Sequence, residues 1–190
     1  LSYRENNAGG ISMSLESNKT LGGVGAILAA IPGVSIIGII LILIALKGLS
    51  ENYNQQDIFK NALYGVIFCI IAGVAAVVVM SGSFLLGGIT APAFGPGSAL
   101  FFAGGIIIGV VVLFIFYLLG AIFFKKSFDI LSVKSGEKMF STAGLLLLVG
   151  AILTIILVGF AVMFVAWILA AVAFFSIKTP AQPPSQPPTT

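Results

Sequence analysis

The chain has 190 residues, of which 59% are hydrophobic and 8% charged, with a formal charge of +3 and no histidine. Soluble domains carry about 25% charged residues, so this composition excludes a water-soluble globule, and the small, scattered positive charge excludes a nucleic-acid-binding surface. Without His, and with Cys69 as the one cysteine, the sequence offers no cysteine-built metal site, no usual haem ligand and no intramolecular disulfide.

Residues 1–20 are polar and carry Arg4, Glu5, Glu16 and Lys19. The apolar run that follows exceeds the ~7–15 residues of a secretory signal, and no small-residue cleavage site closes it. It is therefore read as a retained helix. Met13 offers a natural start, which leaves 1–12 as an upstream extension, a processed terminus or the product of a non-standard start codon.

The charged residues fall in four stretches, 1–20, 47–60, 125–138 and Lys178, while 21–46, 61–124 and 139–177 carry none. A bilayer core about 30 Å thick takes roughly 20 apolar residues per helix. The first run, Leu21 to Leu46, is predicted as one helix of roughly 39 Å, tilted or kinked at Pro32-Gly33. Ser17 or Asn18 caps its start, and Lys47-Gly48 marks its end. The interval 61–124 is too long for one crossing and breaks at 81–98 (SGSFLLGGITAPAFGPGS), giving helices over 59–80 and 99–124. The last run, 140–177, exceeds a simple span and is expected to tilt, project or bend near Gly150 or Gly159. Pro180 to Thr190 forms a Pro-rich tail.

The expected fold is thus an all-α membrane protein. A polar segment (1–20) precedes four transmembrane helices (about 21–46, 59–80, 99–124 and 140–177) in two helical hairpins, and 178–190 is the tail. The charged loops share a pattern: Lys60-Asn61-Ala62-Leu63-Tyr64-Gly65 enters the second helix, and Lys138-Met139-Phe140-Ser141-Thr142-Ala143-Gly144 the fourth. This suggests an internal repeat of parallel topology, or merely that amphipathic loops entering lipid look alike. The loops hold six lysines against Arg4, Lys19 and Lys178 elsewhere. The positive-inside rule therefore places 47–60 and 125–138 in the cytoplasm and the termini outside.

Small residues recur at Gly65, Cys69 and Gly73, at Gly105 and Gly109, and at Ala166 and Ala170. In lipid such positions let helices approach closely, either within the chain or between protomers. Cys69 is read as a packing residue, because no neighbouring charge activates its thiol. Asn18-Lys19-Thr20 is an N-glycosylation sequon, external in this orientation; alternatively Asn18 or Thr20 caps the first helix. The segment 81–98 is read either as a re-entrant loop lining a pore or as an interfacial connector. Tyr53, Tyr64 and Tyr117 suit interfacial belts, while Trp167 falls inside the last run and packs. Glu51, Asp57, Asp129 and Glu137 lie in lysine-bearing loops and are read as solvated or locally paired. No phosphate-binding, nucleophile-elbow or zinc-hydrolase motif is present, and no ionisable group lies in an apolar interval to carry a proton path.

Three stretches carry a family resemblance. They are Leu15-Glu16-Ser17-Asn18-Lys19-Thr20-Leu21-Gly22-Gly23-Val24-Gly25, Gly48-Leu49-Ser50-Glu51-Asn52-Tyr53 with Ile58-Phe59-Lys60-Asn61-Ala62, and Ala173-Phe174-Phe175-Ser176-Ile177. Over about residues 13–177 the chain resembles an archaeal multi-pass membrane family known as domain of unknown function 996. The resemblance implies a fold and an archaeal source but no activity. Some members carry a zinc ribbon after a Pro-rich linker; with no cysteine in that region, this chain inherits no zinc site. The expected function is non-enzymatic, without cofactor or metal. The chain serves as an accessory or structural subunit of a membrane or cell-envelope assembly, in contact with lipid and forming a homo-oligomer or a larger complex. The alternative is an oligomeric pore or small-solute channel built on 81–98 and backbone carbonyls.

Overall fold

A computed structural model describes residues 14–90, 95–156 and 158–178. Six α-helices make up the described residues: α1 (Leu15–Ala30), α2 (Ser35–Asn52), α3 (Asp57–Thr90), α4 (Pro96–Ser135), α5 (Met139–Leu153) and α6 (Val158–Ser176), with a 3₁₀ turn at Thr154–Ile156. Among those residues there is no strand. Five helices, counting α5 with its 3₁₀ turn, are long and apolar enough to cross a membrane, and α1 at 16 residues falls short. This is an all-helical membrane protein.

The first and last apolar runs, each expected as one helix, fold back on themselves. A proline disfavours helical backbone in the residue before it, and Ile31 is extended at φ −97°, ψ 116°. Gly33 then takes φ 93°, a left-handed conformation that suits glycine. The resulting turn sets α2 antiparallel on α1 at very close range. A Cβ on Gly25 would lie 2.9 Å from the Gly38 carbonyl oxygen, and one on Gly38 would strike the Ala29 backbone. The α5–α6 hairpin repeats the device. Thr154 Oγ1 donates to the Gly150 carbonyl at 2.8 Å, and Gly150 and Gly159 face each other too closely for a side chain on either.

Between the short hairpins runs a long one. The 34 residues of α3 and the 40 of α4 extend roughly 51 and 60 Å. Most of 81–98, expected as an irregular break, is helix: α3 continues to Thr90, and α4 begins with Pro96 in its first turn. Residues 91–94 lie outside the described residues. The serine hydroxyls here bond back along the helix, Ser81 Oγ to Val77 O at 2.7 Å and Ser83 Oγ to Val79 O at 2.8 Å, so each finds an acceptor within the apolar stretch. Over 81–90 the chain is thus neither the re-entrant loop nor the interfacial connector read for 81–98, but a continuation of α3.

Each helix packs on its neighbours in the chain, and α6 closes the ring on α1. The lengths run short, short, long, long, short, short, so the two loops that looked alike lead into unlike elements, the long α3 and the short α5. That order does not match a parallel internal repeat.

All described charges gather at one end. Asn18 of α1 lies against Gly48 of α2, and Lys19 Nζ donates to the Ile177 carbonyl at 3.5 Å. Buried Ser127 donates to the Ile58 carbonyl at 2.6 Å, and Ser141 to Asp129 at 2.8 Å. The segments flanking the termini therefore share an end with both lysine-bearing loops. The charge count had set them on opposite faces. The short hairpins bring them together instead, because two extra turns return the chain to its starting end.

Candidate functional site

The ring of helices is filled at the charged end by aromatic packing. Phe124, Phe128, Phe140 and Phe174 are buried. The Phe140 and Phe174 rings sit 4.9 Å apart and nearly perpendicular, and Phe128 meets Phe140 edge-on at 5.7 Å. Such edge-to-face contacts satisfy the ring quadrupoles. Trp167 packs as expected, 8% exposed and edge-on to Phe124 at 6.0 Å.

Below this core, where the short hairpins turn, a cavity of about 660 Å³ opens. The α1–α2 turn supplies Ile31 and Pro32, with Ser35 just beyond. From α6 come Phe160, Met163, Phe164 and Trp167, while α3 and α4 contribute Cys69, Tyr117 and Ala121. Its size lies in the range of small-molecule sites, roughly 300–1,000 Å³. No Asp, Glu, Lys or Arg lines it. The Tyr117 hydroxyl is engaged with Met163 Sδ at 3.0 Å, a weak acceptor that ties α4 to α6. Tyr117 thus sits inside the bundle rather than in an interfacial belt.

The small residues named from sequence divide into two groups. Gly65 abuts Gly120 and Phe124, Gly109 abuts Met80, and Gly105 meets Ser83. Cys69 packs on Gly120, and Ala166 and Ala170 are fully buried. Gly73 is different: it faces open space. At about 100° per residue, a step of eight swings roughly 80° off the interface, whereas steps of four, three and four stay on it. The buried line of α3 is accordingly Gly65, Cys69, Ala72, Ala76.

The sequon also reads differently in three dimensions. Asn18 is fully buried, so the folded chain does not present its amide for glycosylation. Nor does it cap the helix. That role falls to Ser14, whose Oγ accepts from Ser17 N at 3.2 Å. Thr20 Oγ1 donates to the Glu16 carbonyl at 2.9 Å, within α1. Among the acidic residues, Asp129 pairs with Lys125 at 2.5 Å, a local surface pair. No group of three or more potential metal ligands occurs among the described residues.

Sequence reasoning marked Pro32-Gly33 as a kink and Gly150 or Gly159 as a bend, but missed that both runs fold back there and that a cavity lies beside the turns. One signal was available. Gly25 and Gly38 flank Pro32-Gly33, and Gly150 and Gly159 flank the Thr154–Ile156 turn, as a folded-back run requires.

Residues 34–168 match a family described as a protein of unknown function, DUF996. The chain belongs to the DUF996 family. It is 36% identical over 172 residues to an uncharacterised protein of Methanocaldococcus jannaschii, a match covering 88% of this chain and 95% of that protein. No solved structure matches. The DUF996 match starts at Val34 in the first hairpin turn and ends at Ile168 in α6. It therefore includes most of the cavity wall, and it places the chain in an archaeal family of unknown function.

Proposed function

We propose that this DUF996 protein works by assembly in the membrane, as a non-enzymatic accessory or structural subunit of a larger membrane or cell-envelope complex. One observation carries the reading. Past Cys69 and Tyr117, α3 and α4 run on for roughly 32 Å as a two-helix hairpin whose large apolar residues are mostly exposed. Its surface is apolar, with Val77, Phe84, Leu85, Ile89, Leu100 and Ile107 each more than 60% exposed. Gly73, Gly82 and Gly104 leave open space along it. Such positions admit the close backbone approach by which membrane helices associate.

The placement of ionisable groups supports a role without catalysis. They sit at the charged end, in part in local pairs such as Glu16–Lys19 and Lys125–Asp129, away from the apolar cavity. Reconstitution at one chain per nanodisc and at high protein density tests the reading. At high density the chain is expected at multiples of its 19.6 kDa mass, and Val77→Cys protomers are expected to cross-link along the exposed hairpin. A strict monomer at all densities, with no protein co-purifying from native membranes, overturns it.

A further inference from the structure

We propose that the cavity at the turns of the two short hairpins binds one hydrocarbon chain of a membrane lipid. Its depth comes first. Of the lining residues, Ala30 lies roughly 17 Å along α1 from Lys19, Cys69 roughly 14 Å along α3 from Lys60, and Tyr117 roughly 12 Å along α4 from Lys125. Each distance is about half of a 30 Å hydrocarbon core. The cavity therefore lies where the surrounding solvent is lipid chain rather than water.

The lining matches that solvent. A bound water needs about two to four polar partners, and the cavity offers few hydroxyl and thiol groups, of which the Tyr117 hydroxyl already contacts Met163. A charged or strongly polar solute would leave its groups unpaired at a cost of several kcal/mol. A hydrocarbon chain has no such groups, and it restores the dispersion contacts that facing apolar walls would otherwise lack.

Access points the same way. The rim residues Ile31, Phe160 and Phe164 are 45–59% exposed, so the cavity communicates sideways with lipid.

The one tryptophan of the chain, Trp167, lines the cavity and serves as the probe. The full chain in maltoside micelles is titrated with a phosphatidylcholine carrying bromine atoms at mid-chain, which quench indole on contact. Trp167 emission is expected to fall saturably, with one lipid per chain. Ala121→Phe and Ser35→Leu, which fill the cavity from different walls, are expected to weaken that binding roughly tenfold, about 1.4 kcal/mol, at unchanged helix content. Val77→Phe on the distal hairpin is expected to bind as the unaltered chain does. Quenching that rises linearly with the lipid-to-detergent ratio overturns the proposal, as does saturable quenching that both filled variants retain. Loss of quenching as protein concentration rises assigns the cavity to a second copy and also overturns it. Should both filled variants fail to fold, native mass spectrometry of the unaltered chain released from phosphatidylcholine nanodiscs decides. One retained lipid mass supports the site and none refutes it.

Discussion

At the residue scale, glycine acts here through what it lacks. Gly38 has the Ala29 backbone where its Cβ would be, and the Gly25 oxygen 2.6 Å away. Any side chain must push α1 and α2 apart. Overpacking a tight contact costs about 1–3 kcal/mol, so Gly38→Leu is expected to destabilise the bundle by at least that much. Gly73→Leu is expected to be neutral or stabilising, because its site is open and replacing an exposed helical glycine recovers about 1 kcal/mol. Unfolding in sodium dodecyl sulfate mixed micelles, followed by helical circular dichroism, compares the two. Equal losses would show that α3 uses Gly73 after all. The sequence revealed that small residues mattered in α3, but not which of them faced α4. The difference between a step of seven and one of eight becomes visible only once the partner helix is in place.

At the scale of the element, an apolar run long enough to cross the membrane need not cross it. Leu21 to Leu46 has the length and hydrophobicity of one span, and Pro32-Gly33 reads equally as a kink or a turn. The close fit of Gly25 on Gly38 favours the turn, because folding back brings two helix faces into contact where a kinked helix would meet only lipid. This predicts a turn inside the membrane. In a Cys69→Ser background, Val34→Cys is expected to resist a membrane-impermeant maleimide added from either side and to react with a lipid-soluble one. Labelling from the face opposite the charged loops would instead mean a full crossing. Four helix regions were legible because charge marks one end of each and a Gly/Pro-rich stretch divides the uncharged interval 61–124. The two additional turns were not, since they carry no charge and are made of the same residue types as the helices around them.

For the whole molecule, three hairpins place every described charge at one end. The eight lysines, from Lys19 to Lys178, then count together instead of against one another, and the positive-inside rule predicts that end to face the cytoplasm. Lys178→Cys and Lys134→Cys, in the same Cys69→Ser background, are therefore expected to react with an impermeant maleimide from the same, cytoplasmic face in inverted vesicles. Reaction of Lys178→Cys only from the outer face would restore the opposite-face arrangement that the lysine count alone suggested. The assembly reading belongs to this scale as well. The distal α3–α4 hairpin gives the molecule an apolar extension whose large residues are mostly exposed.

The sequence by itself determined the solvent, the helical class and the approximate limits of the charged segments. Those follow from desolvation costs paid residue by residue, and such costs are readable in composition. It also carried the family, through residues spread along most of the chain. Only the tertiary structure decided that two apolar runs double back, that every described charge meets at one end, and that an apolar cavity lies at the turns. Those features depend on which faces touch, and in lipid the contest between folding back and running straight is settled by packing geometry rather than by hydrophobicity.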